Sequence, residues 1–273
     1  MIERAVTADG LTLDVHEWGN PAGPEIVFIH GAAQCHLGFS KQTASALARD
    51  FRIIAPDLRG RGGSDKPSDA SRYQDGRLWA GDLKAVLEAK RLRRPVLVGW
   101  SMGGRVIREY LMAFGDATLG GIVLVAARPI EDPRFLGPSP YRLPPDRTHD
   151  LAARIGAATD FLRACFEKQP TTREFETMLA YNMLVPHEIR TALLGWKSDV
   201  AASARALNTV KAPVLVIHGA ADRVFLPGAA RMTTDAIPGA RLSIFDGCGH
   251  SAFFEDAPRF NRELAEFMAL ARG

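Results

Sequence analysis

The chain has 273 residues, 47% of them hydrophobic and 24% charged, with a formal net charge of +3. That length allows one or two domains and a core that needs no disulfide or metal staple, and the composition excludes a disordered tail, a collagen and a coiled coil. The basic excess is too small to indicate nucleic-acid binding, and its densest cluster, Lys90-Arg91-Leu92-Arg93-Arg94, falls where a helical pattern ends, complementing a helix C-terminus.

Leu11, Leu13 and Val15 alternate with polar residues towards Trp18, the pattern of a half-buried strand. Residues 19–24 form a turn by composition. Ile26-Val27-Phe28-Ile29 is a continuous apolar run, as expected of a strand buried on both faces, and it ends in His30-Gly31. A short helix over 41–49 leads to a second buried strand over 51–55, which ends in Pro56-Asp57. After a Gly-rich, charged loop over 60–67, a long helix is expected over 73–91, with Leu78, Leu83, Val86 and Leu87 at helical spacing. Pro95-Val96-Leu97-Val98 is a third apolar strand, followed at once by Gly99-Trp100-Ser101-Met102-Gly103-Gly104 and a helix over 106–114. A fourth strand covers 121–126. Strand and helix alternate with short connections, which predicts a mostly parallel sheet with helices on both faces.

The pattern then breaks. Prolines stand at 129, 133, 138, 140, 144 and 145, and residues 150–207 are helical in character with no clear strand. Alternation returns with a strand over 214–217, a helix over 226–237 and a strand over 241–245. A closing helix spans 258–271, with Phe260, Leu264, Phe267 and Leu270 on one face. The reading is an α/β core built from 1–127 and 208–273, with a helical cap inserted at 128–207. No repeat or low-complexity stretch interrupts it.

Gly99-Trp100-Ser101-Met102-Gly103 matches G-x-S-x-G, and its context is the confirming one: a strand before, a helix after. A serine on so tight a turn needs small neighbours, which Gly99 and Gly103 supply, and the turn aims the Met102 N–H where negative charge is favoured. A serine hydroxyl is a weak nucleophile without a base. His250, in the Gly-rich loop Asp246-Gly247-Cys248-Gly249-His250 after the last strand, is the expected base. A carboxylate must then fix its tautomer. Asp222, after the strand over 214–217, is preferred; the bland reading is a helix N-cap, and Asp246 is the rival. The second oxyanion donor is expected from His30-Gly31-Ala32-Ala33, through the N–H of Ala32, although a plain tight turn is the alternative.

Five motifs in this order, His30-Gly31, Pro56-Asp57-Leu58-Arg59-Gly60, Gly99 to Gly104, His218 to Asp222 and Gly247 to His250, make the chain resemble the α/β-hydrolase superfamily over nearly its whole length. The order Ser…Asp…His is the one this superfamily uses. The resemblance implies an eight-stranded sheet with a helical cap, and is nearest in flavour to esterases of the cofactor-free haloperoxidase and lactonase type. Departures narrow it. Ser101 stands where haloalkane dehalogenases and epoxide hydrolases carry aspartate, and Trp100 where carbon–carbon bond hydrolases of the meta-cleavage type usually carry asparagine. Ala32 stands where perhydrolases often place an aromatic residue, and Arg61 replaces the usual histidine of the PDLRGHG stretch. Asp57 and Arg59 are read as structural.

The expected activity is a serine hydrolase, with catalytic Ser101, Asp222 and His250 and oxyanion donors Ala32 and Met102, cleaving a small carboxylic ester through an acyl-enzyme. Alternatives are a lactone hydrolase (of acyl-homoserine or enol-lactone type), a cofactor-free perhydrolase or haloperoxidase, and a ligand receptor on a hydrolase fold. No cofactor or metal is expected: His16, His36, His149 and His187 are scattered without H-x-x-x-H spacing. Most of Phe161, Phe166, Phe175, Met178, Met183, Leu184 and Trp196 should be cap core, some lining an apolar pocket. Cys35, Cys165 and Cys248 form no disulfide or metal pattern, and Cys35 and Cys248, which flank the catalytic loops, read as small buried hydrophobes. With no signal-peptide pattern at Met1 to Val6 and no apolar run near ~20 residues, the expectation is a soluble, cytoplasmic protein without membrane partners.

Overall fold

Strands buried on both faces must alternate their side chains between two cores, and this decides the layers. A computed structural model describes residues 2–138 and 149–271. Its strands are β1 (Ile2–Val6), β2 (Thr12–Gly19), β3 (Glu25–Ile29), β4 (Arg52–Pro56), β5 (Val96–Trp100), β6 (Gly121–Val125), β7 (Val214–Gly219) and β8 (Arg241–Phe245). They form one sheet in the order β1-β2-β4-β3-β5-β6-β7-β8, with β2 antiparallel to both neighbours and every other pair parallel. Ile26 and Phe28 of β3 join a core with Phe253, Phe260 and Phe267, while Val27 and Ile29 join one with Trp79, Leu83 and Ile107.

Short turns α1 (Ser40–Thr43) and α2 (Leu47–Asp50) follow β3, α3 (Gly76–Ala89) follows β4, and α4 (Met102–Phe114) follows β5. Between β6 and β7 lie α5 (Leu151–Ala164), α6 (Thr172–Met183), α7 (His187–Ala192) and α8 (Val200–Asn208). Then come α9 (Gly228–Ala236), α10 (Ala252–Glu255) and α11 (Ala257–Leu270). Among the described residues the segment between β6 and β7 holds no strand, only an isolated bridge from Leu136 to Phe225. Of its prolines, Pro140, Pro144 and Pro145 lie outside the described residues.

Three local expectations need correction. The single helix over 41–49 is two separate turns. The helix expected from 73 starts at Gly76, because the Asp75 carboxylate accepts the Arg77 N–H at 2.9 Å and caps it there. Leu270 is exposed; α11 buries Phe260, Leu264, Phe267 and Met268, a stripe at helical spacing that passes beside it. Strand β1 has no sequence signature, since it is an edge strand that buries only Ala5 and leaves Ile2 and Val6 exposed.

The order β4-β3-β5 means that the chain leaves β3 in one direction and returns on its other side, so the C-terminal ends of β3 and β5 border a switch point where open α/β sheets bind ligands. One buried ion pair ties the loop after β4 to α3. Arg59 donates from Nε and Nη2 to the two oxygens of Asp82, each at 2.6 Å, and both residues are fully buried. A second acid, Asp9, accepts from Arg59 Nη1 at 3.1 Å. Removing one member of such a pair strands the other charge. Asp82→Ala should therefore destabilise the fold by about 3–5 kcal/mol in denaturant titration; a change below about 1 kcal/mol would show that Asp9 alone satisfies Arg59.

Candidate active site

Ser101 sits between β5 and α4 at φ 54°, ψ −114°, a left-handed conformation that side chains rarely adopt. Its N–H donates to the Val125 carbonyl of β6 at 2.9 Å, which holds the turn against the sheet. The turn closes because glycines let helix and strands touch. A Cβ on Gly99 would lie 2.6 Å from the Ile107 side chain, and one on Gly103 would strike the Ile29 carbonyl oxygen of β3. The thirteen-residue helix α4 thus begins immediately at Ser101, with its N-terminal field on that side.

The loops after β7 and β8 bring Asp222 and His250 together. Asp222 Oδ2 is 2.8 Å from His250 Nδ1, and both residues are buried. Asp222 Oδ1 accepts the N–H groups of Val224 (2.8 Å) and Phe225 (3.0 Å). His218 adds a contact that the sequence did not suggest: its Nε2 lies 2.9 Å from Asp222 Oδ2 and 2.9 Å from the Phe225 carbonyl. Burial pushes the Asp222 carboxyl up, but the charge of His250 and the hydrogen bonds from His218 and His250 outweigh it and hold the group well below the usual carboxylate range. His250 Nε2 is buried and makes no hydrogen bond among the described residues. The rival Asp246 is exposed.

Two further residues position the His250 loop. Trp100, next to Ser101, donates its indole N–H to the His250 carbonyl at 3.0 Å. Glu255 accepts the Gly249 N–H at 2.8 Å on one oxygen and those of Glu167 and Lys168, both at 2.8 Å, on the other, linking this loop to the segment after α5. Neither role had a motif to announce it.

Across the turn, Gly31 places its backbone so near that a Cβ there would lie 3.3 Å from Ser101 Cβ. The N–H groups of Ala32 and Met102 make no hydrogen bond within the described residues, and both residues line the same cavity as Ser101. His30 anchors this loop from below. Its Nε2 accepts the Leu58 N–H at 3.0 Å, so its Nδ1 carries the proton and donates to the Gly31 carbonyl at 2.8 Å. Burial lowers its pKa to about 4 and keeps the ring neutral.

The cavity measures about 230 Å³, below the roughly 300–1,000 Å³ typical of drug-sized ligands. Phe161, Trp196 and Phe225 form its apolar wall; of the candidate cap side chains, Phe166, Phe175, Met178, Met183 and Leu184 do not line it. Arg105, Arg128 and Glu131 bring charge to it, which the expectation of an apolar pocket omitted. Arg105 of α4 lies 2.9 Å from Glu131, hydrogen-bonds the Trp196 carbonyl and stacks 3.8 Å over the Trp196 ring, so it pins that part of the segment between β6 and β7 over the cavity.

One group of side chains, His16, His36 and Asp57, has its polar atoms within 4.8 Å of one another. The two imidazoles stack with centroids 3.4 Å apart and planes 18° apart. A metal in the plane of one ring would lie far out of the plane of the other, so the arrangement fits a stacked pair on a buried carboxylate better than a ligand set. Asp57 also accepts the N–H groups of His36 (2.8 Å) and Gly63 (2.9 Å). The three cysteines are buried and free, and burial pushes the Cys35 thiol up to about 12, far from a reactive thiolate. No helix among the described residues is long and apolar enough to cross a membrane.

A family model described as alpha/beta hydrolase fold matches residues 24–257. A candidate aryl esterase from Burkholderia cenocepacia is 36% identical and superposes with a TM-score of 0.92, covering 99% of each chain. An esterase from Rhodococcus sp. ECU1013 is 33% identical with a TM-score of 0.90, covering 98% of each chain. A non-heme chloroperoxidase from Streptomyces lividans is 27% identical over 96% of this chain and 98% of its own.

The neutral His30 bridge carries a pH signature. Burial depresses the pKa of His30 from 6.5 to about 4, so on acidification the unfolded chain takes up this proton first. Its contribution is complete above pH 6.5 and is lost as pH falls from 6.5 towards 4. The Tm of the wild type should fall over that window, and the slope should be shallower in His30→Asn; equal slopes would contradict the assignment.

Proposed function

The chain belongs to the α/β-hydrolase fold family, and from that premise we propose that it is a serine hydrolase that cleaves small carboxylic esters through an acyl-enzyme on Ser101. One observation carries the reading: the Asp222–His250 pair, 2.8 Å apart, leaves the other imidazole nitrogen buried and unbonded. In the proposed reaction His250 Nε2 takes the Ser101 proton as Oγ attacks the carbonyl carbon. The tetrahedral oxyanion is held by the N–H groups of Ala32 and Met102, with the N-terminal field of α4 behind them. His250 then protonates the leaving alcohol, and a water activated in the same way releases the acid. Asp222 stays ionised throughout, since His250 and His218 hold its carboxyl well below the usual range. His218, Trp100 and Glu255 act as positioning residues, because each touches Asp222 or the loop of His250. Residues 128–207 serve as the cap, lending Phe161 and Trp196 to the substrate cavity. The esterase relatives support ester chemistry, and the small cavity favours short substrates.

Ser101→Ala should lose at least about a thousandfold in kcat on p-nitrophenyl acetate. Ser101→Gly should lose as much while gaining about 1 kcal/mol of stability, because glycine accepts φ 54° without strain. Wild-type kcat in either variant would refute the assignment, and a lower Tm in Ser101→Gly would refute the strain.

A further inference from the structure

The charged side of the cavity contains a cation that makes no ion pair among the described residues. Arg128 stands three residues beyond Val125, the residue whose carbonyl holds the Ser101 N–H, and it lines the cavity with Ser101. Among the described residues its Nη1 donates to the Asp132 carbonyl at 2.9 Å, and its buried Nε has no partner. The Phe225 ring supports the guanidinium with its centroid 5.0 Å away. Among the described residues no carboxylate lies within ion-pair distance of it. The charges of Glu131 and Asp132 reach it from a distance, but these acids pair with other cations. Glu131 pairs with Arg105 at 2.9 Å and accepts from Ser198 at 2.7 Å, Asp132 pairs with Arg134 at 2.6 Å, and Glu109 pairs with Arg108. A guanidinium keeps its charge at any working pH, and its planar fork matches a carboxylate. Beside Phe161, Trp196 and Phe225, an ion pair is screened less than in water.

We propose that Arg128 is a specificity-determining residue that pairs with a free carboxylate on the substrate, so that the preferred substrates are short esters bearing a second, ionised carboxyl group, such as half-esters of dicarboxylic acids. This rests on Ser101 being the nucleophile. Hydrolysis adds one water to such a half-ester and releases the dicarboxylic acid and the alcohol; Arg128 takes no proton and forms no bond to the reacting atoms. It acts by binding, so its effect belongs in KM more than in kcat.

The test compares kcat/KM for the monomethyl esters of succinate, glutarate and adipate, and for 4-acetoxybutyrate, each against the neutral ester in which an isopropyl group replaces the carboxylate. In the wild type at least one anionic ester should exceed its isostere by about 30-fold or more, the scale of a desolvated charge pair. Arg128→Gln should bring that ratio down towards one, and Arg128→Lys should keep part of it. Free glutarate should inhibit turnover of p-nitrophenyl acetate competitively in the wild type. The proposal is overturned if no anionic ester outperforms its isostere, or if the preference survives in Arg128→Gln. Labelling of Ser101 by a fluorophosphonate separates the two readings. Labelling without anionic preference removes only the role of Arg128; no labelling of folded wild type removes the nucleophile as well. Labelling of Arg128→Gln also checks that its site is intact, and if that variant fails to fold, the wild-type ratios and glutarate inhibition decide.

Discussion

The backbone at Ser101 can hold its left-handed turn only because α4 starts in space that side chains at 99 and 103 would otherwise fill. A methyl group at Gly103 would meet the Ile29 carbonyl of β3, and one at Gly99 would meet Ile107. This close crossing of one helix over two strands sets everything around it. It exposes Ser101 at the C-terminal edge of the sheet, beside the loop that carries Ala32. It leaves the Met102 N–H at a helix N-terminus without a hydrogen bond among the described residues, and Met102 lines the same cavity as Ala32. The strain at φ 54° is tolerated because the Val125 hydrogen bond and the packing of Ile107 over-determine the turn.

Around that turn, the carboxylates that hold the catalytic loops are bonded on both oxygens. Asp222 receives two backbone N–H groups on one oxygen, and its other oxygen lies within 2.9 Å of two imidazoles. Glu255, whose carboxyl burial pushes up, is compensated by three backbone N–H groups that join the His250 loop to the segment after α5. His30 links the loops after β3 and β4 as a neutral donor–acceptor bridge. Such fully bonded groups hold loops in one geometry, which loops at a sheet edge do not otherwise keep. Arg128 is the contrast: buried in part, with Nε unbonded and no carboxylate within ion-pair distance among the described residues.

Much of this was legible in the chain, for definite reasons. The apolar runs of β3, β5, β6 and β7 are uninterrupted because those strands are covered on both faces, and the sheet was readable from them. The G-x-S-x-G turn is a local event, so five residues describe it. What escaped reading depends on contacts between distant segments. His16 and His36 look scattered along the chain yet stack on Asp57. His218 reads as a strand-end residue until β7 is placed so that its ring meets Asp222. Glu255 and Trp100 act across 88 and 150 residues, where no periodicity reaches. The edge strand β1 lacks the alternation that would have marked it, because its pattern buries only Ala5. Arg105 and Arg128 carry no motif; Arg105 lies one turn of α4 beyond Ser101, and the place of Arg128 beside Ser101 follows from the register of β5 and β6.

The central claim is that Ser101 is activated by a His250 that Asp222 holds in place. Its most direct measurement is reaction of the purified protein with a fluorophosphonate, followed by mass mapping of the modified peptide. The account predicts one phosphonyl group per chain, on Ser101, with the labelling rate strongly reduced in folded His250→Ala. A label on any other residue, or a folded wild type that takes none, would contradict it.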